Sequence, residues 1–376
     1  MPAIANSLEQ LRRARGISAI RLAQAAGVSR QTIYAIEAGT YVPNTAVALS
    51  LARTLECKVE DLFTLPDAAP RSAIRSETAV LLSGEPEMQP GQPVRLCQVD
   101  RKLIASSPSP VPWYFPAGDA AIGERAAPDG KVPVRLFHEE DDRDAYRNRI
   151  LIAGCDPGIS VLARHAQAAG IELVLAHRNS SRSLELLKEG SVHIAGTHLR
   201  DEASGESNLP AIARLFARNS VAVVSFAVWE EGIVTARDNP KRIRGVEDLA
   251  RKDIVFVNRE KGSGSRSLLD SRLSKAGIEG GRVRGYANEA PGHIPAAFQV
   301  YSGAADCCIA TRGAGRLFGL HFIPLLTERY DLAVRRRHLE LPRIQNLFDT
   351  LSRSAFRREL EGLGGYDTQV TGNRLL

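Results

Sequence analysis

Hydrophobic positions in the first sixty residues recur at helical spacing. Leu8 and Leu11 begin an amphipathic helix that Gly16 ends; Ile20, Leu22, Ala23 and Ala26 line a second, closed by Gly27 in a tight turn. Ser29 is placed to cap a third helix, which turns Ile33 and Ile36 inward and stops at Gly39. Two short helices joined by a three- to four-residue turn containing Gly make the helix-turn-helix pattern. From Arg149 onward the pattern alternates instead. "RILIAGC", "IELVLAHR", "VHIAGTHL", "VAVVSFAVWEEGIVTA", "DIVFVN" and "DCCIATR" read as strands, and "GISVLARHAQAAG", "SSRSLELLKEG", "SRSLLDSRLSKAG" and "PAAFQVYSGAA" as helices. Such alternation predicts an α/β architecture with a mostly parallel sheet.

Between these regions the character changes. Pro66, Pro70, Pro86, Pro90 and Pro93 mark a linker, and "SSPSPVPWYFPAG" is too proline-rich for regular structure. "PVRLCQVDRKLIAS" and "KVPVRLFHE" alternate as short strands do, and the acidic run "HEEDDRDAYRNR" reads as a solvated approach to the next domain. The expected fold class is multi-domain: an all-α helix-turn-helix bundle over 1–66, a proline-rich linker and small β-rich connector over 67–147, and a two-lobed α/β domain over 148–376.

Composition adds limits. At 376 residues, 44% hydrophobic and 24% charged, the chain has ordinary globular composition, with room for two or three domains. No apolar run approaches the ~20 residues of a membrane helix, and the N-terminus lacks a signal pattern, so a cytoplasmic protein is expected. The net charge of +6 permits a nucleic-acid partner without arguing for one. Cys57, Cys97, Cys155, Cys307 and Cys308 are odd in number, scattered and without C-x-x-C. The expectation is buried free thiols, with no disulfide framework, metal site or cofactor.

The helical segment carries chemistry for DNA. Between Gln10 and Ile36 stand five arginines (Arg12, Arg13, Arg15, Arg21 and Arg30) and no acidic residue, a bias suited to phosphate contacts. Arg30, Gln31 and Thr32 open the third helix with side chains able to read base edges. The stretch "LAQAAGVSRQTIYAIEAGTYVPN" closely resembles the Cro/lambda-repressor-like, or XRE-type, family of regulators. The resemblance implies that Arg30, Gln31 and Tyr34 face DNA, with Thr40 and Asn44 near phosphates. One such domain covers few base pairs, so a homodimer or higher even oligomer is expected.

In the C-terminal region the polar residues fall at strand ends, where open α/β sheets bind ligands. "GCDPGIS" offers Asp156, Gly158 and Ser160; "RNSSRS" offers Ser180, Ser181 and Ser183; "AGTHLRD" offers Thr197 and His198. "REKGSGSR" joins a strand to a helix through Gly262, Ser263, Gly264, Ser265 and Arg266, a loop suited to an anion at a helix N-terminus. The expected ligand set is Asp156, Ser160, Ser181, Thr197, Ser263, Gly264, Ser265 and Arg266. "AGCDPGISVLARH", "NSSRSLELLKEGSVHIAGTHLRD", "GSGSRSLLD" and "GHIPAAFQVYSGAADCCIA" resemble the periplasmic-binding-protein-like domain fused to helix-turn-helix regulators, a family similar to type II molybdate and tungstate binding proteins. The match runs from about Ile150 to Val334 and implies two hinged lobes closing on an anion. "ADCCIA", Ala305 to Ala310, departs from the family's "ADVGLG", and Cys308 is expected to reshape the cleft or add a soft ligand.

The expected function is a ligand-responsive, DNA-binding transcriptional regulator sensing a small oxyanion, molybdate or tungstate. An alternative is a small organic carboxylate, with Arg266 as its partner and Trp229 or Tyr286 as apolar surface. A remote alternative is a hydrolytic enzyme using Ser160, His198 and Asp306, or Cys308 with His293. Nothing in the spacing forces such a geometry, so no enzyme is expected.

Overall fold

Caps decide where the helices of the N-terminal unit begin. The computed structural model of the chain describes residues 5–64, 76–84, 88–107, 117–137, 143–201 and 204–376. It divides into two units, Met1–Ile74 and Arg75–Leu376. In the first, a short ladder, β1 (Ala5–Asn6) against β2 (Phe63–Thr64), ties the ends of five helices: α1 (Leu8–Ala14), α2 (Ala19–Ala26), α3 (Arg30–Glu37), α4 (Thr45–Thr54) and α5 (Val59–Leu62). The side chains of Ser18, Ser29 and Asn44 accept from Arg21, Thr32 and Val47 N–H, so three helix starts have an orphan donor satisfied. Gly27 takes φ 68° between α2 and α3, which a β-carbon would penalise. Leu8, Leu22, Ala23, Ile33 and Ile36 join the core as the helical spacing predicted, together with Leu51 of α4, whereas Ile20 is exposed.

The second unit opens with a closed five-stranded barrel where only two strand-bearing stretches were expected. β3 (Ser76–Leu81), β4 (Pro93–Val99), β5 (Lys102–Ser106), β6 (Ala120–Ile122) and β7 (Lys131–Leu136) close in the order β3-β5-β4-β6-β7 around Val94, Leu96, Ala120 and Val134. Closure removes the sheet edges that a short β connector would expose. Pro66, Pro70, Pro86, the run Pro108–Pro116 and residues 138–142 of the acidic run lie outside the described residues; α6 (Arg143–Asn148) follows that run.

Two lobes then share two long strands. Lobe one holds β8 (Ile150–Gly154), α7 (Ile159–Gln167), β9 (Leu173–His177), α8 (Ser180–Glu189), β10 (Ile194–Thr197) and α9 (Leu209–Leu215). After β11 (Val221–Thr235), lobe two holds β12 (Phe256–Arg259), α10 (Gly264–Lys275), β13 (Glu289–Ala290), α11 (His293–Tyr301), β14 (Cys307–Thr311) and α12 (Arg312–Leu317). The chain returns through β15 (His321–Arg335) to α13 (Arg336–Leu339), α14 (Pro342–Ser352), α15 (Ser354–Gly362) and β16 (Tyr366–Asp367). Each lobe has three parallel strands, β9-β8-β10 and β13-β12-β14. The mostly parallel sheet is thus corrected in one respect: β11 and β15 run antiparallel to their neighbours and to each other.

β11 and β15 belong to both lobes. Val221–Ser225 pairs with the part of β15 bound to β10, and Glu231–Thr235 with β14. Register shifts lie at Ser225/Ala227 and Glu231/Gly232 and bracket the crossing. Gly232 is required there, because a Cβ would stand 2.1 Å from the Ile323 carbonyl oxygen. Between the shifts, the two-residue strand period puts Trp229 and Glu231 on one face, and cross-strand pairing adds Glu328 and Tyr330.

Candidate functional site

The N-terminal unit presents a short reading face. Arg30 and Gln31 are exposed at the start of α3, and the Arg30 guanidinium lies over the Tyr34 ring, 5.2 Å from its centroid, bonding the phenol oxygen. Thr32 shares its hydroxyl with Ser29, Thr40 donates to the Ala35 carbonyl, and Asn44 caps α4. Arg12 departs from expectation. Its guanidinium is forked onto Glu37 at 2.5 and 3.1 Å and also donates to the Ile17 carbonyl, which joins α1 to the end of α3 and removes it from phosphate duty. Glu37 lies one residue beyond the acid-free window, so composition hid the pair. Arg13 stays exposed, beside Glu9.

In the second unit, loops at the carboxyl ends of the parallel strands meet over the crossing face. His198, after β10, packs 4.9 Å from the Trp229 ring centroid and 5.9 Å from that of Tyr330. Three helices begin around it. Ser180 of α8 accepts from the His198 N–H at 3.0 Å; a Cβ on Gly264 of α10 would lie 2.4 Å from the His198 ring; the His293 ring of α11 is 5.8 Å away. Tyr330 reaches the β8 loop, where its hydroxyl accepts from the Cys155 N–H at 3.1 Å. Gly196 leaves it room, since a Cβ there would stand 2.0 Å from that hydroxyl. Arg259 is 1% exposed, forked onto Glu260 at 2.9 and 3.1 Å, with Nη1 3.5 Å from the Ser265 hydroxyl. Ser265 in turn donates to Glu231.

Burial sets the titration of this cluster. It raises the Glu231 carboxyl to about 7, helped by the nearby Glu328 charge, and raises Asp156 to about 6 against the hydrogen bonds of Tyr366 and Gly158. It lowers His177 to about 4 and His293 well below the ordinary range. For His198 burial works downward, but Cys155 and Glu328 outweigh it and raise the imidazole well above its usual value. Among the described residues several polar atoms have no hydrogen-bond partner: Asp156 Oδ2, His177 Nε2, His198 Nε2, Glu231 Oε2 and both ring nitrogens of His293. Two overlapping groups, Cys155/His198/His293 and His198/Glu231/Glu328, each bring ligand atoms within 4.8 Å of one another. Beside Gly264 and Glu328 opens a groove of about 480 Å³, with Arg200, Arg272 and Lys275 in its lining.

Of the expected ligand set, Asp156, Gly264 and Ser265 come together here. Ser160 is exposed and bonds the Pro157 carbonyl; Ser181 is half-buried, while its neighbour Ser180 turns inward; Thr197 bonds Asn208. Ser263 caps α10, and Arg266 faces Asp270, Glu289 and the Tyr286 ring. Cys308 requires correction: it is fully buried among Val234, Val257 and Ala297, and burial pushes its thiol up to about 12. Cys155 is the cysteine at the cleft. Ser160, His198 and Asp306 do not assemble, because Asp306 is held by the Val255 N–H and Ser160 points outward. Glu231, Glu328, Arg259, Cys155 and His177 were missed. One signal was available: "WEE" in an apolar strand sends Glu230 out to Arg312 and must bury Glu231.

Comparison with known proteins follows this division. The PBP superfamily domain family matches residues 163–352, half of the chain, and a helix-turn-helix family matches 8–62. An uncharacterized protein of Bacillus subtilis, YvgK, is 33% identical over 247 residues, covering 65% of this chain and 79% of its own. An uncharacterized HTH-type transcriptional regulator of the same organism, YgzD, is 40% identical over 62 residues, 16% of this chain and 94% of its own. Among solved structures, the tungstate ABC transporter from Geobacter sulfurreducens is similar at 16% identity and TM-score 0.43, covering 57% of this chain and 98% of that one. The sulfate-binding protein SubI from Mycobacterium tuberculosis is similar at 17% and 0.44, covering 58% and 86%. Likeness at that level bears on no ligand.

Proposed function

Because the chain belongs to the PBP superfamily and carries a helix-turn-helix domain, we propose that it is a ligand-responsive transcriptional regulator whose interlobe cleft takes a small oxyanion of the molybdate or tungstate class. One observation carries the reading: Ser180, Gly264 and His293, the first residues of three helices from two lobes, surround His198 close to the buried Arg259 guanidinium. Converging helix starts supply N–H donors and positive dipole ends to an anion without many full charges. Glu231, protonated up to about 7, serves as a donor rather than a repelling charge. Binding draws the lobes together across β11 and β15, and the chain, paired as a homodimer, changes the separation of its two reading heads.

The test is thermal unfolding of the full chain with molybdate, tungstate, sulfate, phosphate and small carboxylates. A ligand at a hundred times its Kd stabilises by roughly 2.7 kcal/mol. A shift with the oxyanions, with DNA binding retained, is expected; no shift with any of them refutes the reading. The groove of about 480 Å³ favours a second candidate, because it is roomier than one tetrahedral oxyanion needs and carries three cationic side chains in its lining. A shift with carboxylates alone selects that candidate.

A further inference from the structure

We propose that Cys155, His198 and His293 form a binding site for a zinc-type divalent cation. The three are 2%, 1% and 0% exposed, and their ligand atoms lie within 4.8 Å of one another. A thiolate and two imidazoles are the donors that borderline-soft first-row ions prefer. The second, independent observation is how the imidazoles are held. His198 Nδ1 is 2.9 Å from a Glu328 carboxylate oxygen, which leaves Nε2, a buried atom with no hydrogen bond made, as the ring nitrogen open to a cation. A carboxylate behind a metal-bound histidine orients the ring and raises its basicity. His293 is fully buried with neither ring nitrogen hydrogen-bonded, Nδ1 standing 3.9 Å from Glu231. Orphaned buried nitrogens cost stability unless something fills them.

The geometry lies close to what zinc needs. Bond lengths of about 2.0–2.3 Å put tetrahedral ligand atoms about 3.3–3.8 Å apart, so contraction by about 1 Å completes the site. Cys155 and His198 belong to lobe one and His293 to lobe two, so opening of the lobes gives the ion its entry and closing assembles the three ligands. Three protein ligands leave a fourth position for water or an anion. The site does not depend on the oxyanion reading, since cation binding is measured with no oxyanion present.

The experiment strips the full chain, in a Cys57→Ser background, with a chelator and titrates Co(II). Expected are one cobalt per chain, a thiolate-to-cobalt charge-transfer band, intense tetrahedral d–d bands, and displacement by Zn(II). Cys155→Ser removes the charge-transfer band, whereas Cys308→Ser, altering a core thiol, leaves it. Glu328→Gln weakens cobalt binding about 10–100-fold. Should Cys155→Ser fail to fold, the parent spectrum decides alone. Absence of the charge-transfer band in the parent, its loss in Cys308→Ser rather than Cys155→Ser, or unchanged affinity in His293→Gln overturns the site. Cobalt binding without any oxyanion response leaves this site standing and removes the oxyanion reading; the converse result does the reverse.

Discussion

Two of the places where the second unit buries charge differ in how fully they are bonded. Where the barrel meets lobe one, Arg149 contacts Asp119 at 2.8 Å and Glu172 at 2.7 Å, and Arg95 contacts the same two carboxylates. Asp119 also accepts from the Leu96 N–H, and Arg149 donates to the Leu96 carbonyl. In the interlobe cleft, His293, His198, Glu231 and Asp156 are buried more deeply yet keep unbonded atoms. A saturated ionic cluster holds two bodies in register; an unsaturated one costs stability and is retained where a guest completes it. The reading head repeats the contrast, with Arg12 locked onto Glu37 and Gln31 left exposed.

The sharpest way to break this contrast is to mutate both clusters in ligand-free, metal-free protein. Arg149→Ala removes one of the two guanidiniums that Asp119 and Glu172 share, leaving Arg95, and should cost about 1.5–3 kcal/mol in denaturant unfolding of the second unit. His293→Leu removes two orphan nitrogens and should lie within about 1 kcal/mol of the parent, or above it. The reverse order would erase the distinction. In the reading head, Arg12→Ala should destabilise the N-terminal unit by about 1.5–3 kcal/mol, because Glu37 loses a charged partner. Arg30→Ala should leave stability within about 0.5 kcal/mol but weaken specific DNA binding by about 1–3 kcal/mol, read by mobility shift.

The smallest effect is in pH. Burial raises Glu231 from 4.5 to about 7, so the folded protein keeps a proton that the unfolded chain has released. That contribution to stability is fully present below about 4.5 and is lost as pH climbs through about 7. Glu231→Gln should therefore melt above the parent at pH 8, with the gap closing as pH falls toward 4.5. His177 runs oppositely: lowered from 6.5 to about 4, it contributes above 6.5 and loses that contribution as pH falls through about 4. A Glu231→Gln difference that is flat with pH would mean that the carboxyl is ordinary.

What was legible in the chain was local. Ser29 and Gly27 marked the turn between α2 and α3, and the "GSGSR" loop stood at a strand end because Gly and Ser tolerate a helix start. What was not legible depended on partners far along the chain. Arg12 finds Glu37 by packing of α1 on α3, and Glu328 meets Trp229 only because β11 and β15 pair. Cys155 and His293 stand 138 residues apart, so no spacing motif joins them, whereas Cys308, 15 residues after His293, looked closer to the chemistry than it is. Ser263 and Arg266 sat in the right loop but face away, since a helix start turns only some of its side chains toward the cleft.

Calorimetric titration of tungstate into the full chain, with chelator present, tests the cleft reading most directly when run beside Gly264→Ala. The added methyl meets the His198 ring at 2.4 Å and strains the closed arrangement by about 1–3 kcal/mol. Saturable binding of one anion per chain, weakened about tenfold or more in Gly264→Ala, is the predicted result. No heat with tungstate, or equal affinity in the two proteins, would contradict it.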